Sequence, residues 1–225
     1  MSRTGAEPVA LYGYWRSTAS WRVRIALNLK GVASSCRPVH LLRDGGEQRR
    51  PEYMRLNPQG LVPALAIDGQ LLVQSLAIIE YLEETRPQPA LLPADAAGRA
   101  RVRSLAQLVA ADLHPLNNLR VLQYLGAEMG AGEARRQAWY RHWVHVGLDA
   151  LEARLAHDPA TGRFCHGDAP GVADCCLVPQ LYNARRYDCP LDACPTLLRI
   201  EAACNELDAF QAAVPERQPD APSAP

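Results

Sequence analysis

Short apolar runs alternate with helix-like segments in the first part of the chain. Strands are predicted at residues 9–14, 37–41, 62–67 and 71–73, and helices at residues 17–31, 47–56 and 75–85. Asp68-Gly69 separates the last two strands, and this pair of residues is typical of a hairpin turn. The order β-α-β-α-β-β-α predicts a parallel pair of strands followed by an antiparallel hairpin, in a small α/β domain.

A proline-rich segment ends this first pattern. Arg86-Pro87-Gln88-Pro89 cannot continue a helix, because proline lacks the amide hydrogen that helical bonding needs. We therefore place the first domain at residues 8–87 and a second domain at residues 96–215, where the strand signals disappear.

The second domain shows only helical spacing. Leucine and valine recur at helical intervals between Val102 and Leu122, and Pro115 is expected to kink this long helix. Further helices are predicted around residues 139–151, from Gly171 past Arg186, and between residues 195 and 214. The proline-rich tail from Pro215 is expected to fray. The fold class is thus an α/β domain followed by an all-α domain.

Composition narrows the class of protein. Lys and Arg (24) balance Asp and Glu (24), so neither a nucleic acid nor an acidic membrane surface is an expected partner. No apolar run approaches the roughly 20 residues that span a bilayer, and residues 1–8 lack the apolar core of a signal peptide. The seven cysteines are odd in number and contain no Cys-x-x-Cys pair, which argues against a disulfide framework or a metal site. We expect a cytoplasmic protein without a metal.

Three segments of the first domain have candidate chemistry. Ser17 and Thr18 lie where the first strand meets the first helix, and a hydroxyl at a helix N-terminus can stabilise a thiolate. Val62-Pro63 opens a strand, where a bulge or a cis peptide would present backbone to a ligand. Gln74 and Ser75 pair an amide with a cap hydroxyl, which suits an anion. Taken singly, each signal is weak. Plain helix capping is the better explanation of Ser17 and Thr18, an ordinary edge-strand proline accounts for Pro63, and capping accounts for Ser75.

Together and in this order, the three segments resemble the zeta-class glutathione transferases, the maleylacetoacetate isomerase family. The likeness spans about residues 11–220. It is carried by residues 14–27, 57–65, 74–84, 114–118, 173–174, 177–180 and 218–220. The resemblance implies the glutathione transferase fold, with a thioredoxin-like first domain, and glutathione as the cofactor. It also implies a homodimer, although nothing in the sequence points to a dimer directly.

Two positions depart from the family pattern. The family's loop reads Ser-Ser-Cys before Ser-Trp-Arg, whereas this chain has Ser17-Thr18-Ala19. A role of that cysteine cannot operate here, so activation of the thiol is expected from Ser17, assisted by Thr18. Gly171 stands where Ser or Thr usually caps a helix, and we interpret Asp174 as a structural cap of that helix.

The resemblance assigns roles to the remaining candidates. Glutathione would be bound by Ser17, by Val62 and Pro63 (whose peptide is expected to be cis), by Gln74 and Ser75, and by His114 and Asn117. The substrate would be a small anionic diketo acid, held by Arg16, Arg186, Asn183 and Arg120. Arg16, Ser17 and Thr18 form the catalytic set. Arg185 is expected to face solvent, although the reverse assignment of Arg185 and Arg186 stays open, as does a purely structural role for His114.

The implied reaction is the conversion of maleylacetoacetate to fumarylacetoacetate, a step in tyrosine degradation, with side activity as a glutathione transferase. Maleylpyruvate isomerase is the alternative within enzymes, since His114-Pro115, Asn117-Asn118 and Arg120 resemble it too. An alternative of another class is a non-catalytic glutathione-binding or stress-interaction protein on the same fold.

Overall fold

The computed structural model of the protein describes residues 9–222. Residues 1–8, and with them the first residue of the predicted first domain, lie outside the described range. The chain divides into two compact units. One unit contains the chain up to Ala90 together with the segment from Asp208 onward, and the other contains Leu91–Leu207.

The first unit has a four-stranded sheet in the order β2-β1-β3-β4. Its elements are β1 (Ala10–Gly13), α1 (Thr18–Leu29), β2 (Ser35–Pro38), α2 (Pro51–Leu56), β3 (Ala64–Ile67), β4 (Gln70–Val73) and α3 (Ser75–Thr85). β1 pairs in parallel with β2 and antiparallel with β3, and β3 pairs antiparallel with β4. This is the thioredoxin-like topology that the sequence predicts.

Local signals explain most of these boundaries. Ser17 caps α1, and Gly31 ends it at φ +65°, a conformation that glycine adopts without steric cost. Asp68 and Gly69 both have positive φ in the β3–β4 turn, as a tight two-residue hairpin requires. The Val62–Pro63 peptide is cis, which confirms the expectation.

Two predicted elements differ from the structure. The strand predicted at residues 37–41 forms at Ser35–Pro38, where all four residues are exposed. An edge strand of this kind has no apolar signal, and the apolar run that follows it instead includes the buried Val39. The helix predicted at residues 47–56 is a short 3₁₀ turn at Glu47–Arg49 and then α2, which restarts at Pro51.

Over the described residues 91–207, the second unit contains helices and no strand. Its helices are α4 (Ala96–Gln107), α5 (His114–Leu116), α6 (Leu119–Ala127), α7 (Glu133–Ala156), α8 (Val172–Arg186) and α9 (Pro195–Asn205). A π-helical turn at Leu108–Leu113 joins α4 to α5. The predicted long helix is π-helical in the turn before Pro115, because proline supplies no amide hydrogen and its ring crowds the preceding turn, and it ends at Leu116.

α8 is the most buried helix of this unit, with Val172 to Gln180 all buried. It ends at Arg186 and does not continue past it. Its N-terminus is anchored by Asp174, whose two carboxylate oxygens accept N–H groups from Gly171 at 2.8 Å and from Cys165 at 2.9 Å. The structural role predicted for Asp174 is therefore confirmed.

The tail after α9 corrects the sequence analysis. The short helix α10 (Asp208–Gln211) and the residues after it belong to the first unit, whereas the sequence assigned residues up to 215 to the helical domain. The tail does not fray from Pro215. Gln218 Nε2 donates to the carbonyls of Ala212 and Val214, and Asp220 accepts the backbone N–H of Trp15. The bond between Trp15 and Asp220 joins residues 205 positions apart and has no signature in local composition.

Candidate active site

Ser17 occupies the N-cap of α1, immediately after the turn that leaves β1. Its Oγ accepts the backbone N–H of Ser20 at 3.2 Å, and its own N–H donates to the carbonyl of Tyr14 at 2.9 Å. A hydroxyl has one proton to donate besides its two lone pairs, so capping leaves that proton available. Ser17 is half-buried, which leaves it accessible to a ligand.

The two neighbours of Ser17 differ in accessibility. Thr18 is only 3% exposed, and within residues 9–222 its Oγ1 has no hydrogen-bond partner. Arg16 is half-buried, and its guanidinium lies over the ring of Trp15 at 5.0 Å from the centroid. Burial therefore favours Ser17 over Thr18 as the hydroxyl that meets a ligand.

The segment before β3 is held by two side chains of α2 and its C-cap. Tyr53 Oη and Asn57 Nδ2 both donate to the carbonyl of Leu61, at 2.6 and 2.8 Å. Burial raises the pKa of Tyr53 to about 12, so this phenol stays a donor at neutral pH. Across the described residues, the backbone groups of the next residue, Val62, make no bond to other backbone. The arrangement presents Val62 as an unpaired edge.

The N-terminus of α3 differs from its predicted capping. Gln74 is the N-cap, with φ +70°, and no side chain caps the helix. Ser75 is the first helical residue and is buried, and its Oγ accepts from Arg22 Nη1 at 3.0 Å. Gln74 Nε2 donates to Gln59 Oε1 at 2.8 Å. The uncapped N–H groups of α3 still favour an anion, and Arg22 supplies a buried positive charge beside them.

His114, Asn117 and Arg120 follow the π-helical turn of the helical unit. Asn117 is 7% exposed, and neither atom of its amide has a hydrogen-bond partner within residues 9–222. The carbonyl of His114 accepts the N–H of Asn117 at 3.2 Å. Arg120 is exposed in the first turn of α6. The structure therefore brings His114 and Asn117 together at the kink and leaves Arg120 on the surface of its helix.

The C-terminal turn of α8 distinguishes Arg185 from Arg186. Both guanidinium Nη atoms of Arg185 donate to the carboxylate of Glu201 on α9, which raises the pKa of Arg185. Arg186 Nη1 donates to Asn183 Oδ1 at 3.0 Å, and its guanidinium lies 5.5 Å from the ring centroid of Tyr187. Arg185 is thus committed to an ion pair, whereas Arg186 keeps donors for an anion.

Tyr53, Asn57 and Arg22 are site residues that sequence reasoning missed. Asn57 belongs to the segment that carries the family likeness, but its bond to Leu61 depends on a turn that the spacing does not reveal. Arg22 is the charged residue among the buried residues of α1, and it is only 2% exposed. A charge at such a position is the one signal that could have identified it, since buried charges are paired.

The next features concern metal binding, membrane-spanning helices and the cysteines. Within residues 9–222, no three His, Cys, Asp or Glu side chains are grouped so that they could hold a metal ion. In the same range, no helix combines the length and the apolar character needed to cross a bilayer. All seven cysteines are free thiols, and Cys36 is the exposed one.

A thioredoxin-like unit, an all-helical unit and a hydroxyl at the N-terminus of α1 define the glutathione transferase class of protein. Comparison with known proteins agrees. Residues 11–90 match the family model for the glutathione S-transferase N-terminal domain, and residues 136–209 match that for the C-terminal domain.

Relatives that match nearly the whole chain identify the family more narrowly. Maleylacetoacetate isomerase of Rhizobium meliloti is 55% identical over 94% of this chain and 98% of its own. Maleylpyruvate isomerase of a Ralstonia species is 53% identical over 93% and 98%. The chain therefore belongs to the zeta-class glutathione transferase and maleylacetoacetate isomerase family.

Solved structures support the same conclusion. A holo structure of a maleylpyruvate isomerase, described as a bacterial zeta-class transferase, has a TM-score of 0.92 at 52% identity, covering 95% of this chain and all (100%) of that one. Maleylacetoacetate isomerase of Anaeromyxobacter dehalogenans, with bound glutathione, has a TM-score of 0.85 at 49% identity, covering 96% and 98%. A further structure of that protein contains dicarboxyethyl glutathione and citrate.

Proposed function

We propose that this protein is a glutathione-dependent maleylacetoacetate isomerase, which converts maleylacetoacetate to fumarylacetoacetate in tyrosine degradation. The observation that carries the proposal is Ser17, which caps α1 through its oxygen and keeps a proton to donate. Maleylacetoacetate isomerase of Rhizobium meliloti matches 94% of this chain at 55% identity. The proposal extends the activity of such relatives to this chain, in which the candidate residues are present.

Ser17 is suited to stabilise a thiolate. Donation of the Ser20 N–H to Ser17 Oγ polarises the hydroxyl and makes it a better donor, because hydrogen bonds in a chain strengthen one another. The N-terminus of α1 adds the positive end of the helix dipole. Both effects favour the charged form of a thiol placed there, so they lower its pKa. The buried Thr18 would act through packing beneath this site.

Glutathione would be held by backbone at two places in the first unit. Val62, before the cis peptide with Pro63, has an unpaired backbone edge that suits the cysteinyl residue of the tripeptide. The N-terminus of α3, with Gln74 and Ser75, suits the γ-glutamyl carboxylate. In the helical unit, His114 and the unpaired amide of Asn117 are the proposed further contacts.

The reaction requires transient removal of a double bond. The thiolate of glutathione adds to the conjugated alkene carbon and forms a C–S bond, and the π electrons move to the carbonyl oxygen to give an enolate. The former double bond is then single and can rotate. Collapse of the enolate restores the double bond in the trans form and expels the thiolate, so glutathione is regenerated and no other co-reactant is needed.

The substrate is an anion, and arginines supply its proposed contacts. Arg186, oriented by Asn183, is the candidate for a carboxylate in the helical unit, because Arg185 is engaged with Glu201. Arg16, directly before Ser17 in the chain, is the proposed cation near the enolate. Arg120 is a weaker candidate, since the structure gives its side chain no orienting partner among the described residues.

Maleylpyruvate is a second candidate substrate, favoured by the TM-score of 0.92 to a maleylpyruvate isomerase. Both compounds are cis diketo acids that a thiolate can attack in the same way. Their turnover side by side, with and without glutathione, would rank them by kcat/KM. We expect maleylacetoacetate to be preferred, and a ratio in favour of maleylpyruvate would reverse the assignment.

The same assay separates the enzyme from a non-catalytic glutathione-binding protein. Glutathione binding without turnover of either diacid would contradict the proposed function. Conjugation of chlorodinitrobenzene, measured in parallel, tests the expected side activity as a transferase.

We also propose a cytoplasmic homodimer. All seven cysteines are free thiols, and six of them are buried. Free thiols are typical of the cytoplasm, which is a reducing compartment. Sedimentation velocity would detect the dimer as a species of about twice the chain mass of 24.7 kDa.

A further inference from the structure

The turn that carries Arg16 and Ser17 is held at the peptide groups of a single residue, Trp15. The N–H of Trp15 donates to Asp220 Oδ2 at 2.9 Å, and the two residues lie 205 positions apart in the chain. The carbonyl of Trp15 accepts from Arg24 Nη2 at 2.8 Å. Both polar groups of Trp15 are therefore satisfied by side chains outside the turn.

The same two side chains connect the turn to the C-terminal tail. Arg24 Nε donates to the carbonyl of Ala213 at 3.1 Å, so one guanidinium joins the turn and the tail. Burial lowers the pKa of Arg24 to about 10, against the opposing effect of Asp220, and the side chain stays charged at neutral pH. The tail itself is anchored to α1, because Asn28 Nδ2 donates to the carbonyl of Ala209 at 2.9 Å.

A cavity of about 280 Å³ lies beside these bonds, within the first unit. Arg24, Asn28, Cys36 and Asp220 are among the residues that line it. Cys36 Sγ is 4.0 Å from Asp220 Oδ1. Asp220 thus has Oδ2 engaged with Trp15 and Oδ1 beside Cys36, and it lines the cavity.

We propose that Asp220 and Arg24 are positioning residues for the reaction, forming a clamp that fixes the Trp15 peptide and thereby the place of Arg16 and Ser17. The inference rests on the proposed role of Ser17 and extends it to the tail. Both clamp residues bond to the Trp15 peptide. They act by orientation, and an error of about 1 Å in the position of a reacting group costs rate.

Two variants of Asp220 separate the hydrogen bond from its charge. Asp220→Ala removes the acceptor for the Trp15 N–H. Asp220→Asn keeps a carbonyl oxygen there, removes the charge and replaces the other oxygen by an NH2 group. Arg217→Ala is the matched control, because Arg217 is an exposed residue of the same tail. The readouts are the ultraviolet thiolate signal of bound glutathione against pH, the turnover of the diacid, and hydrogen exchange of the Trp15 amide.

In Asp220→Ala we expect the Trp15 amide to exchange faster and the pKa of bound glutathione to rise. We expect kcat to fall about five-fold, which corresponds to a loss of about 1 kcal/mol when the Ser17 hydroxyl is misplaced. Asp220→Asn should restore most of each value, and Arg217→Ala should match wild type. Equal thiol pKa and kcat in Asp220→Ala and wild type would overturn the clamp, and so would an Asp220→Asn variant as defective as Asp220→Ala.

The thiol measurement keeps the clamp distinct from the proposed function. It uses only the binary complex with glutathione, so it judges the clamp even if wild-type protein turns over neither diacid. If Asp220→Ala fails to fold, hydrogen exchange of the Trp15 amide in wild type and in Asp220→Asn tests the clamp. Exchange in wild type at the rate of an unprotected amide contradicts the bond to Asp220. Protection in wild type that Asp220→Asn retains supports the bond.

Discussion

The N-termini of α1 and α8 are both closed by a side chain that accepts backbone N–H groups, but they differ in what remains afterwards. At α1, Ser17 accepts one N–H and keeps a hydroxyl proton in a half-buried position. At α8, Asp174 is 1% exposed, and each of its oxygens already accepts an N–H. An N-cap is a candidate for chemistry only where a spare donor reaches a ligand.

The comparison also predicts that substitutions at the two helix N-termini have different effects. Removal of the Ser17 side chain takes the acceptor from a single N–H, that of Ser20. Removal of Asp174 leaves two amides inside the helical unit without an acceptor, and unpaired buried donors are costly. We therefore expect substitutions at α8 to act on folding and substitutions at α1 to act on the thiol.

The largest effect is expected from Asp174→Ala. The N–H groups of Cys165 and Gly171 would both lose their acceptor, at a cost of about 1–3 kcal/mol each, so the free energy of unfolding should fall by about 3 kcal/mol. Chemical denaturation of the variant and of wild type measures this. Asp174→Asn, which keeps one carbonyl oxygen, should be intermediate. A stability loss below about 0.5 kcal/mol in Asp174→Ala would erase the difference between the two caps.

Ser17→Ala should mainly affect the reaction. A hydrogen bond to a charged group is worth about 1.5–3 kcal/mol, so kcat should fall at least about ten-fold and the pKa of bound glutathione should rise by about 1–2 units. Glutathione affinity should change little, because its backbone contacts lie elsewhere. Kinetics with glutathione and diacid varied separately, and the ultraviolet thiolate signal at neutral pH, provide the measurements.

A second substitution at Ser17 separates its two roles. Ser17→Asp keeps an acceptor for the Ser20 N–H and should preserve stability, but it has no proton to give and repels a thiolate. Its bound glutathione should therefore titrate higher than in Ser17→Ala. An unchanged thiolate signal in both variants would show that a different group activates the thiol.

At the other end of α8, Arg186→Ala should weaken apparent affinity for the diacid by about ten-fold or more, since one charge-assisted hydrogen bond is worth about 1.5–3 kcal/mol. The KM for glutathione should barely change. Arg185→Ala is the matched control, because it breaks the pair with Glu201 and should lower stability while leaving the diacid KM as in wild type. The reverse pattern would make Arg185 the anchor.

The smallest effect is expected from Ala19→Cys, at the position where the family has cysteine. Ala19 is 9% exposed in the first turn of α1, and a sulfur atom is a modest increase in volume there. Stability should change by less than about 1 kcal/mol, and kcat by less than about two-fold, if Ser17 is the activator. A large gain in kcat would instead show that the family cysteine carries part of the thiol chemistry.

Much of the first unit was predictable because its signals are local. Ser17 before an apolar helix, Asp68-Gly69 between strands and the run from Ser75 to Thr85 each depend on a few neighbouring residues, and the structure confirms the elements they predict. Where the local signal was weak or absent, as in the exposed strand β2, the prediction missed by two or three residues.

The sequence by itself determined the topology of the first unit and the helix break near Pro115, since these follow from spacing, caps and backbone chemistry. The set of candidate residues came from the likeness of the sequence to a known family. Only the tertiary structure decided that Arg185 pairs with Glu201, that Ser75 accepts from Arg22, and that the tail docks on Trp15. Each of these bonds joins residues from 16 to 205 positions apart. Periodicity describes neighbours along one element, and it has no information on which distant partner folding will bring into contact.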